Sequence, residues 1–158
     1  MDDNLQLSSG LYGPLIVLEP GETFDPATDR VMLLSVGGPD ENAPVLLNGS
    51  AQPAPIELRA GVKYRFRFIN ISPDDPQLQV SLLEADSKPM SWRLVSKDGA
   101  ARPAAQATLR AAEQMISVGE TYDFEFQAAS AGDLRLRIYQ PKSPFRPECN
   151  IVVPVHVR

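Results

Sequence analysis

The residues that most often carry metal and proton-transfer chemistry are scarce in this chain. Its 158 residues include one cysteine, Cys149, and one histidine, His156. A blue-copper site needs two histidines, a cysteine thiolate and usually a weak axial methionine, so these two residues cannot supply one. On one continuous strand their spacing would also place the two side chains on opposite faces, where they could not share an ion. We therefore predict no catalytic, cofactor-binding or metal-binding residue in this chain.

Other catalytic arrangements have only weak signals. Ser-His-Asp catalysis would require His156 to meet a serine and a carboxylate, and no nucleophile-elbow motif accompanies it. The acidic pairs Asp40-Glu41 and Asp74-Asp75 could suggest a carboxylate pair or a calcium site. Both lie in turn contexts, where acidic residues are ordinary solvated surface, and that interpretation is favoured.

Two short patterns and three aromatic residues could mark binding or modification. Asn48-Gly49-Ser50 and Asn70-Ile71-Ser72 match the glycan acceptor pattern, but a tight turn and a strand end explain both asparagines. A sugar or phenol pocket could be lined by aromatic side chains, although single aromatics in sandwiches usually belong to the core or its rim. The candidates are Trp92, Tyr12 and Tyr139.

The composition is that of one globular domain. Hydrophobic residues make up 43% of the chain and charged residues 22%, both close to globular averages. The net charge of −5 comes from 20 acidic and 15 basic residues without a Lys/Arg cluster, so nucleic acid is not expected as a partner. No apolar run approaches the ~20 residues of a membrane span, so no membrane partner is expected either.

Three segments alternate apolar and polar side chains, which predicts strands with one face in the core. They are Val62–Phe68, Thr121–Gln127 and Leu134–Tyr139. The expected inward residues are Val62, Tyr64, Phe66, Phe68, Tyr122, Phe124, Phe126, Leu134, Leu136 and Ile138. We predict that the acidic outer face of Asp123 and Glu125 lies beside a basic strand, since an opposed charge pair contributes about 0.2–1 kcal/mol.

Further segments are weaker strand candidates: Leu15–Leu18, Val31–Val36, Val45–Leu47, Ile56–Arg59, Leu78–Leu83, Trp92–Ser96, Gln114–Val118 and Asn150–Val157. Asn48-Gly49 and Asp98-Gly99 are turn formers because these residue types tolerate positive φ. Only Ala100–Gln114 is rich enough in alanine to suggest a helical turn or two after Pro103. Many short strands and little helix predict an all-β fold, a Greek-key β-sandwich or barrel.

The order of five blocks along the chain resembles the laccase-like multicopper oxidases. The blocks are Ser9–Val17, Leu46–Gly49, Gly61–Asn70, Asp98-Gly99 and Gly119–Asp123. In that family the first block closes the first cupredoxin domain, and the others belong to the second. The resemblance implies that residues 1–28 are the last strand and linker of a preceding domain, and that 29–158 form a cupredoxin-like domain without a copper site.

The resemblance also implies a function for the whole protein. The intact parent would be a copper-dependent oxidoreductase that couples substrate oxidation to reduction of dioxygen to water. Its partners would be neighbouring cupredoxin domains of the same polypeptide, and it would be secreted, periplasmic or otherwise extracytoplasmic. This chain itself would hold no cofactor and contribute structure.

Three alternatives remain open from the sequence, of which one is a degenerate enzyme that binds copper weakly at its surface. The chain could be a stand-alone β-sandwich module that binds carbohydrate or protein without redox activity. It could also associate as a homo-oligomer or exchange a strand through residues 1–18. The first 18 residues discriminate between an independent module and a domain cut from a longer protein. Complete native pairing favours the module, whereas an exposed apolar strand or its exchange between molecules favours the cut domain.

Overall fold

The computed structural model describes residues 6, 9–40, 42–72, 77–144 and 147–158. Within them, twelve strands form two sheets: β1 Asp29–Val36, β2 Val45–Leu47, β3 Ile56–Leu58, β4 Lys63–Asn70, β5 Leu78–Leu83, β6 Ser91–Lys97, β7 Ala100–Ala101, β8 Leu109–Ala111, β9 Glu113–Ile116, β10 Thr121–Gln127, β11 Gly132–Gln140 and β12 Cys149–Val157. In that part of the chain, no helix has the length and apolarity needed to cross a membrane.

The larger sheet has seven strands in the order β2-β1-β4-β10-β6-β7, with β8 also paired to β6. β1 and β4 are parallel, and the remaining pairs are antiparallel. The smaller sheet has five strands in the order β3-β12-β11-β5-β9, in which only β12 and β3 are parallel among the described pairs.

The predicted all-β sandwich is confirmed. β3 and β5 lie in the smaller sheet, whereas β4 between them lies in the larger one. The chain therefore crosses repeatedly from one sheet to the other, as in a Greek-key sandwich. Each sheet presents its alternate apolar residues to the other sheet, and together they form one core.

Aromatic rings fill the centre of that core. The Trp92 ring stacks on Phe124 with a centroid distance of 4.0 Å, and Phe68 meets Phe124 edge-on at 6.1 Å. The predicted inward residues of β4, β10 and β11 are all buried, except that Val62, just before β4, is partly buried against the core. The period-two alternation thus identified the core face of each of these strands.

The predicted pairing of acidic and basic strands is also confirmed. β10 is antiparallel to β4, with Asp123 opposite Arg67 and Glu125 opposite Arg65. The carboxylate of Asp123 lies 2.8 Å from a terminal nitrogen of each arginine. The charges that alternate with the core residues therefore meet on the outer face of the larger sheet.

Two predictions of local structure were wrong or only partly right. Leu15–Leu18 is not a strand in the structure, because the segment lies across the outer face of the larger sheet and pairs with no strand edge among the described residues. At Ala100–Gln114 a single turn forms, in which Pro103 O accepts hydrogen bonds from the amides of Gln106 and Ala107. The residues on either side of the turn form strands β7, β8 and β9, because pairing at the sheet edges outweighs the weak helix preference of alanine.

The predicted turns have the expected backbone. Asn48 has a φ of 50° and Gly49 a φ of 80°, and Asp98 and Gly99 have 49° and 75°. Two consecutive positive φ values match the twist of the flanking strands in a tight turn. The Asn48 side chain continues the sheet, because its Oδ1 accepts from Leu33 N at 2.8 Å and its Nδ2 donates to Val31 O at 2.9 Å.

Candidate functional site

The two residues with the strongest metal-binding chemistry point in opposite directions. β12 alternates buried and exposed positions, with Cys149 in a buried position and His156 on the outer face. The thiol of Cys149 lies 3.8 Å from Ile138 O inside the sandwich. His156 Nδ1 is 2.8 Å from Asp133 Oδ1 on the neighbouring strand. The predicted separation of the two side chains is confirmed, so one ion cannot contact both.

His156 belongs to a surface cluster at the end of β11 and β12. Its hydrogen bond lowers the pKa of the Asp133 carboxyl below the usual range, and Arg158, 3.6 Å from the same oxygen, lowers it further. Among the described residues, no hydrogen bond joins His156 to a serine. The Ser-His-Asp arrangement that the sequence left open as a minor alternative has no geometric support in this cluster.

Copper does not fit the residues that the structure describes. In the part of the chain that the structure describes, no group of three or more His, Cys, Asp or Glu side chains could hold a metal ion. Of the acidic pairs in turns, Asp40 accepts a hydrogen bond from Asn42 N at 2.6 Å, which is ordinary turn geometry. Glu41 and Asp74-Asp75 lie outside the described residues.

The glycan acceptor patterns have structural roles. Asn70 is fully buried, its Nδ2 donates to Ile116 O at 2.9 Å, and its Oδ1 accepts from the Ser72 hydroxyl at 2.6 Å. The side-chain amide of Asn48 is hydrogen-bonded to the main chain of β1. Both asparagines therefore act as predicted from the turn and strand-end interpretation.

The three aromatic candidates for a binding pocket are dispersed. Trp92 is in the core, with 1% of its surface exposed. Tyr12 lies on the outer face of the larger sheet, where its hydroxyl is 2.7 Å from Ser35 Oγ. Tyr139 is on the outer face of the smaller sheet, and Arg137 lies over its ring at 4.2 Å. The structure does not bring these three residues together.

The segment before β1 covers part of the larger sheet. Leu33 and Ser35 on the outer face are only 7% and 2% exposed. They are covered because the chain from Tyr12 onwards lies against this face, tied by the Tyr12 hydroxyl at one end and by an ion pair between Glu22 and Arg65 at 3.4 Å near the other. A cavity of about 380 Å³ remains beneath Leu15–Val17.

The other side of this segment is apolar and uncovered. Leu11, Leu15 and Val17 are 71%, 86% and 83% exposed. Their intervening neighbours Tyr12, Ile16 and Leu18 are partly buried, so the segment alternates like a strand with one face on the sheet. No ladder of main-chain hydrogen bonds joins residues 11–18 to either sheet in the described part of the chain. The segment therefore has an apolar face without a partner.

Sequence reasoning missed the ion-pair cluster of Asp29, Arg67 and Asp123 on this face of the larger sheet. The alternation along β4 places Arg67 on the outer face of the sheet, yet only 6% of its surface is exposed. Its side chain does leave the core face, but it is covered by the preceding segment and paired with Asp29 and Asp123. The alternation predicts the direction of the side chain and carries no information about what covers it.

The fold and the residue inventory define a Greek-key β-sandwich with a parallel strand pair in each sheet and no redox-metal ligand set among the described residues. The same fold occurs in solved copper oxidases. A blue copper oxidase from Nitrosomonas europaea matches with a TM-score of 0.61 and 16% identity, over 82% of this chain and 43% of that chain. A crystal structure of a multicopper oxidase matches with a TM-score of 0.59 and 13% identity, over 83% of this chain and 44% of that chain. The laccase-like multicopper oxidase CueO from Ochrobactrum sp. matches with a TM-score of 0.57 and 18% identity, over 84% of this chain and 31% of that chain.

These matches confirm the expected fold, which is that of the cupredoxin-like domains of multicopper oxidases. The chain spans less than half the length of each of these solved structures. No family model and no curated protein sequence matches it.

Proposed function

We propose that this chain is the non-catalytic middle cupredoxin domain of a multicopper oxidase. The observation that carries the proposal is the uncovered apolar face of residues 11–17 on a sandwich whose fold recurs within longer copper oxidases. Burying a Leu or Val side chain contributes about 1.5–3 kcal/mol, so three such side chains left in water indicate a surface that another domain covers.

In this proposal residues 1–28 are the last strand and linker of a preceding domain, and residues 29–158 are the middle domain. The side chains of the segment already alternate between a face on this sandwich and a face free for the preceding domain. The role of the middle domain is to space the neighbouring domains and to contribute shape. Copper would be held by residues of those domains, because the donor set of the described residues does not fit it.

The intact parent would couple oxidation of a substrate to reduction of dioxygen to water. Support for this activity comes from the resemblance of the sequence blocks and from the fold. The parent would be extracytoplasmic, and a leader sequence in its gene would test that part. A His-x-His motif encoded just upstream and a His-Cys-His motif encoded downstream are the expected results of sequencing the flanking DNA. Flanks that encode neither motif would overturn the proposal.

Two lysine substitutions test whether the apolar face is an interdomain surface. Val17→Lys places a charge on that face, and Val118→Lys places one at a valine that is 49% exposed elsewhere. In the 158-residue chain both variants should unfold close to the wild-type urea midpoint. In the longer polypeptide Val17→Lys alone should lower the midpoint, because it puts an ammonium group into an apolar contact. If the two substitutions lowered the urea midpoint of the longer polypeptide equally, this face would not be an interdomain surface.

A stand-alone binding module is the second candidate. It is favoured by the two contacts that tie the segment to its own sandwich, between Tyr12 and Ser35 and between Glu22 and Arg65. If the chain is an independent module, the wild type should be monomeric in sedimentation and should bind little hydrophobic dye. A dye signal that falls in Val17→Lys and not in Val118→Lys favours the middle domain.

A further inference from the structure

The outer face of the smaller sheet carries a row of three long side chains from one strand. Arg135, Arg137 and Tyr139 alternate along β11 with the core residues. On the two neighbouring strands, Arg137 lies opposite Ser81 and Val152. These side chains line a cleft with a volume of about 360 Å³. The cleft is the size of a small ligand site.

The two arginines on this face lack an anionic partner in the part of the chain that the structure describes. Among the described residues, neither Arg135 nor Arg137 forms an ion pair, although Glu113 also lines the cleft. Arg65 and Arg67 on the opposite sheet, in contrast, are both paired with Asp123. In a chain with a net charge of −5, two adjacent unpaired guanidinium groups mark a position suited to an external anion.

Both guanidinium groups are held in place and keep free donors. Arg135 Nη2 donates to Glu84 O at 3.2 Å, to Ala85 O at 2.9 Å and to Ser87 Oγ at 3.0 Å. Its Nε has no hydrogen-bond partner but is buried, so the donor that an external acceptor can reach is Nη1, which donates to no described residue. Arg137 Nε donates to Asn150 Oδ1 at 2.9 Å while its guanidinium lies over the Tyr139 ring. An acceptor brought into the cleft would meet donors whose side chains are already ordered.

The remaining lining of the cleft suits a hydroxylated ring. Gln79, Ser81 and Asn150 offer neutral donors and acceptors to hydroxyl groups, and Tyr139 and Val152 offer apolar surface. A guanidinium group binds a carboxylate through two parallel hydrogen bonds, which a neutral sugar cannot provide. A ligand that matches all three features carries a carboxylate on a sugar ring.

We propose that the outer face of the smaller sheet binds a uronate residue of an acidic oligosaccharide, with Arg135 and Arg137 contacting its carboxylate. This site lies on the sheet opposite to the segment at residues 11–17. It is therefore independent of the proposed interdomain contact, and either proposal can fail without the other. It adds a ligand-binding surface to a domain for which the proposed function is structural.

Calorimetric titration of the whole chain with trigalacturonate tests the proposal, with neutral galactotriose and tetraglutamate as comparison ligands. Trigalacturonate should bind, galactotriose should bind at least about tenfold more weakly because it lacks the carboxylates, and tetraglutamate should also bind weakly because it lacks the ring. Equal binding of galactotriose would exclude a carboxylate site. Equal binding of tetraglutamate would exclude a sugar site, and absence of trigalacturonate binding would overturn the proposal.

Variants locate the site on the molecule. Arg137→Met should weaken trigalacturonate binding by about tenfold, through loss of one charge-assisted contact. Arg93→Met makes the same charge change on an exposed arginine of the larger sheet and should leave binding unchanged. Arg135→Lys keeps the charge but loses the planar guanidinium group, so it should also weaken trigalacturonate binding. The urea midpoint of this variant reports whether its fold is intact. Equal weakening by Arg93→Met and Arg137→Met would show only a general charge effect and would overturn the assignment.

Discussion

Arg67 and Asp29, 38 positions apart in the chain, are joined by two hydrogen bonds from Nε and Nη2 of the guanidinium to Oδ1, at 2.8 and 2.6 Å. The opposite edge of the same guanidinium contacts Asp123 at 2.8 Å. Satisfaction on both edges explains how an arginine that is only 8% exposed at its side chain is accommodated. Asp29 is the first residue of β1. This contact therefore also fixes the point at which the preceding segment joins the sheet.

Substitution of Asp123 should be strongly destabilising. Asp123→Asn removes the negative charge shared by Arg65 and Arg67 and leaves a buried guanidinium partly uncompensated. We expect the free energy of unfolding to fall by about 3–5 kcal/mol. Urea denaturation at neutral pH measures the change.

Glu125→Gln is the matched control on the same strand. Its partner Lys63 lies 3.5 Å away with 61% of its side chain exposed, so the pair is screened by water. The loss should not exceed about 1 kcal/mol. Equal losses in the two variants would contradict a buried ion cluster at Arg67.

Asn48 should contribute to stability through both its side chain and its backbone. Asn48→Ala removes the two hydrogen bonds to β1 and places alanine at a φ of 50°. The expected decrease in the free energy of unfolding is about 2–4 kcal/mol, from two lost hydrogen bonds and the left-handed backbone. Asn42→Ala, at an exposed turn residue, should change it by no more than about 0.5 kcal/mol. A loss at Asn48 as small as that at Asn42 would exclude this role.

The aromatic centre should dominate the stability of the core. Phe124→Ala removes the ring that stacks on Trp92 and should lower the free energy of unfolding by about 3–5 kcal/mol. Because Trp92 is the only tryptophan and is buried, its fluorescence should shift to the red on unfolding and can report the transition. Phe24→Ala, at a ring that is 37% exposed, should cost about 1 kcal/mol or less. A smaller effect at Phe124 than at Phe24 would contradict the packing described above.

Glu120 should make stability depend on pH under acidic conditions. The amide of Ser117, which donates to Glu120 Oε2 at 2.9 Å, lowers the pKa of this carboxyl below its usual range, and Lys97 at 2.9 Å from Oε1 lowers it further. A pKa lowered in the folded state means that the unfolded chain takes up the proton first. The contribution of Glu120 is therefore complete above the unfolded pKa and is lost as the pH falls through the folded pKa.

The comparison of wild type with Glu120→Gln isolates this contribution. Urea midpoints should differ most at neutral pH, and the difference should shrink as the pH falls below the usual glutamate range. Glu57→Gln, at an exposed residue of β3, serves as the control for loss of one carboxylate. A Glu120→Gln difference that is constant between neutral and strongly acidic pH would contradict the assigned cause.

The sequence by itself determined the class of the fold and the limits of its chemistry. Alternation along β4, β10 and β11 identified the residues that face the core, because a side-chain period of two is a local property of extended backbone. Counts of one histidine and one cysteine led to the prediction that this chain holds no redox copper site, because such a site draws on several of these ligands.

Only the tertiary structure decided what lies on the outer faces. The burial of Arg67, the path of residues 11–18 across the larger sheet and the strands within 100–114 all depend on contacts between distant parts of the chain. Arg135 and Arg137 alternate with the inward residues of β11, but their lack of carboxylate partners among the described residues became visible only once β5 and β12 were placed beside β11. The physical reason is that alternation reports the direction of a side chain, whereas its neighbours are selected by the pairing of strands that are far apart in sequence.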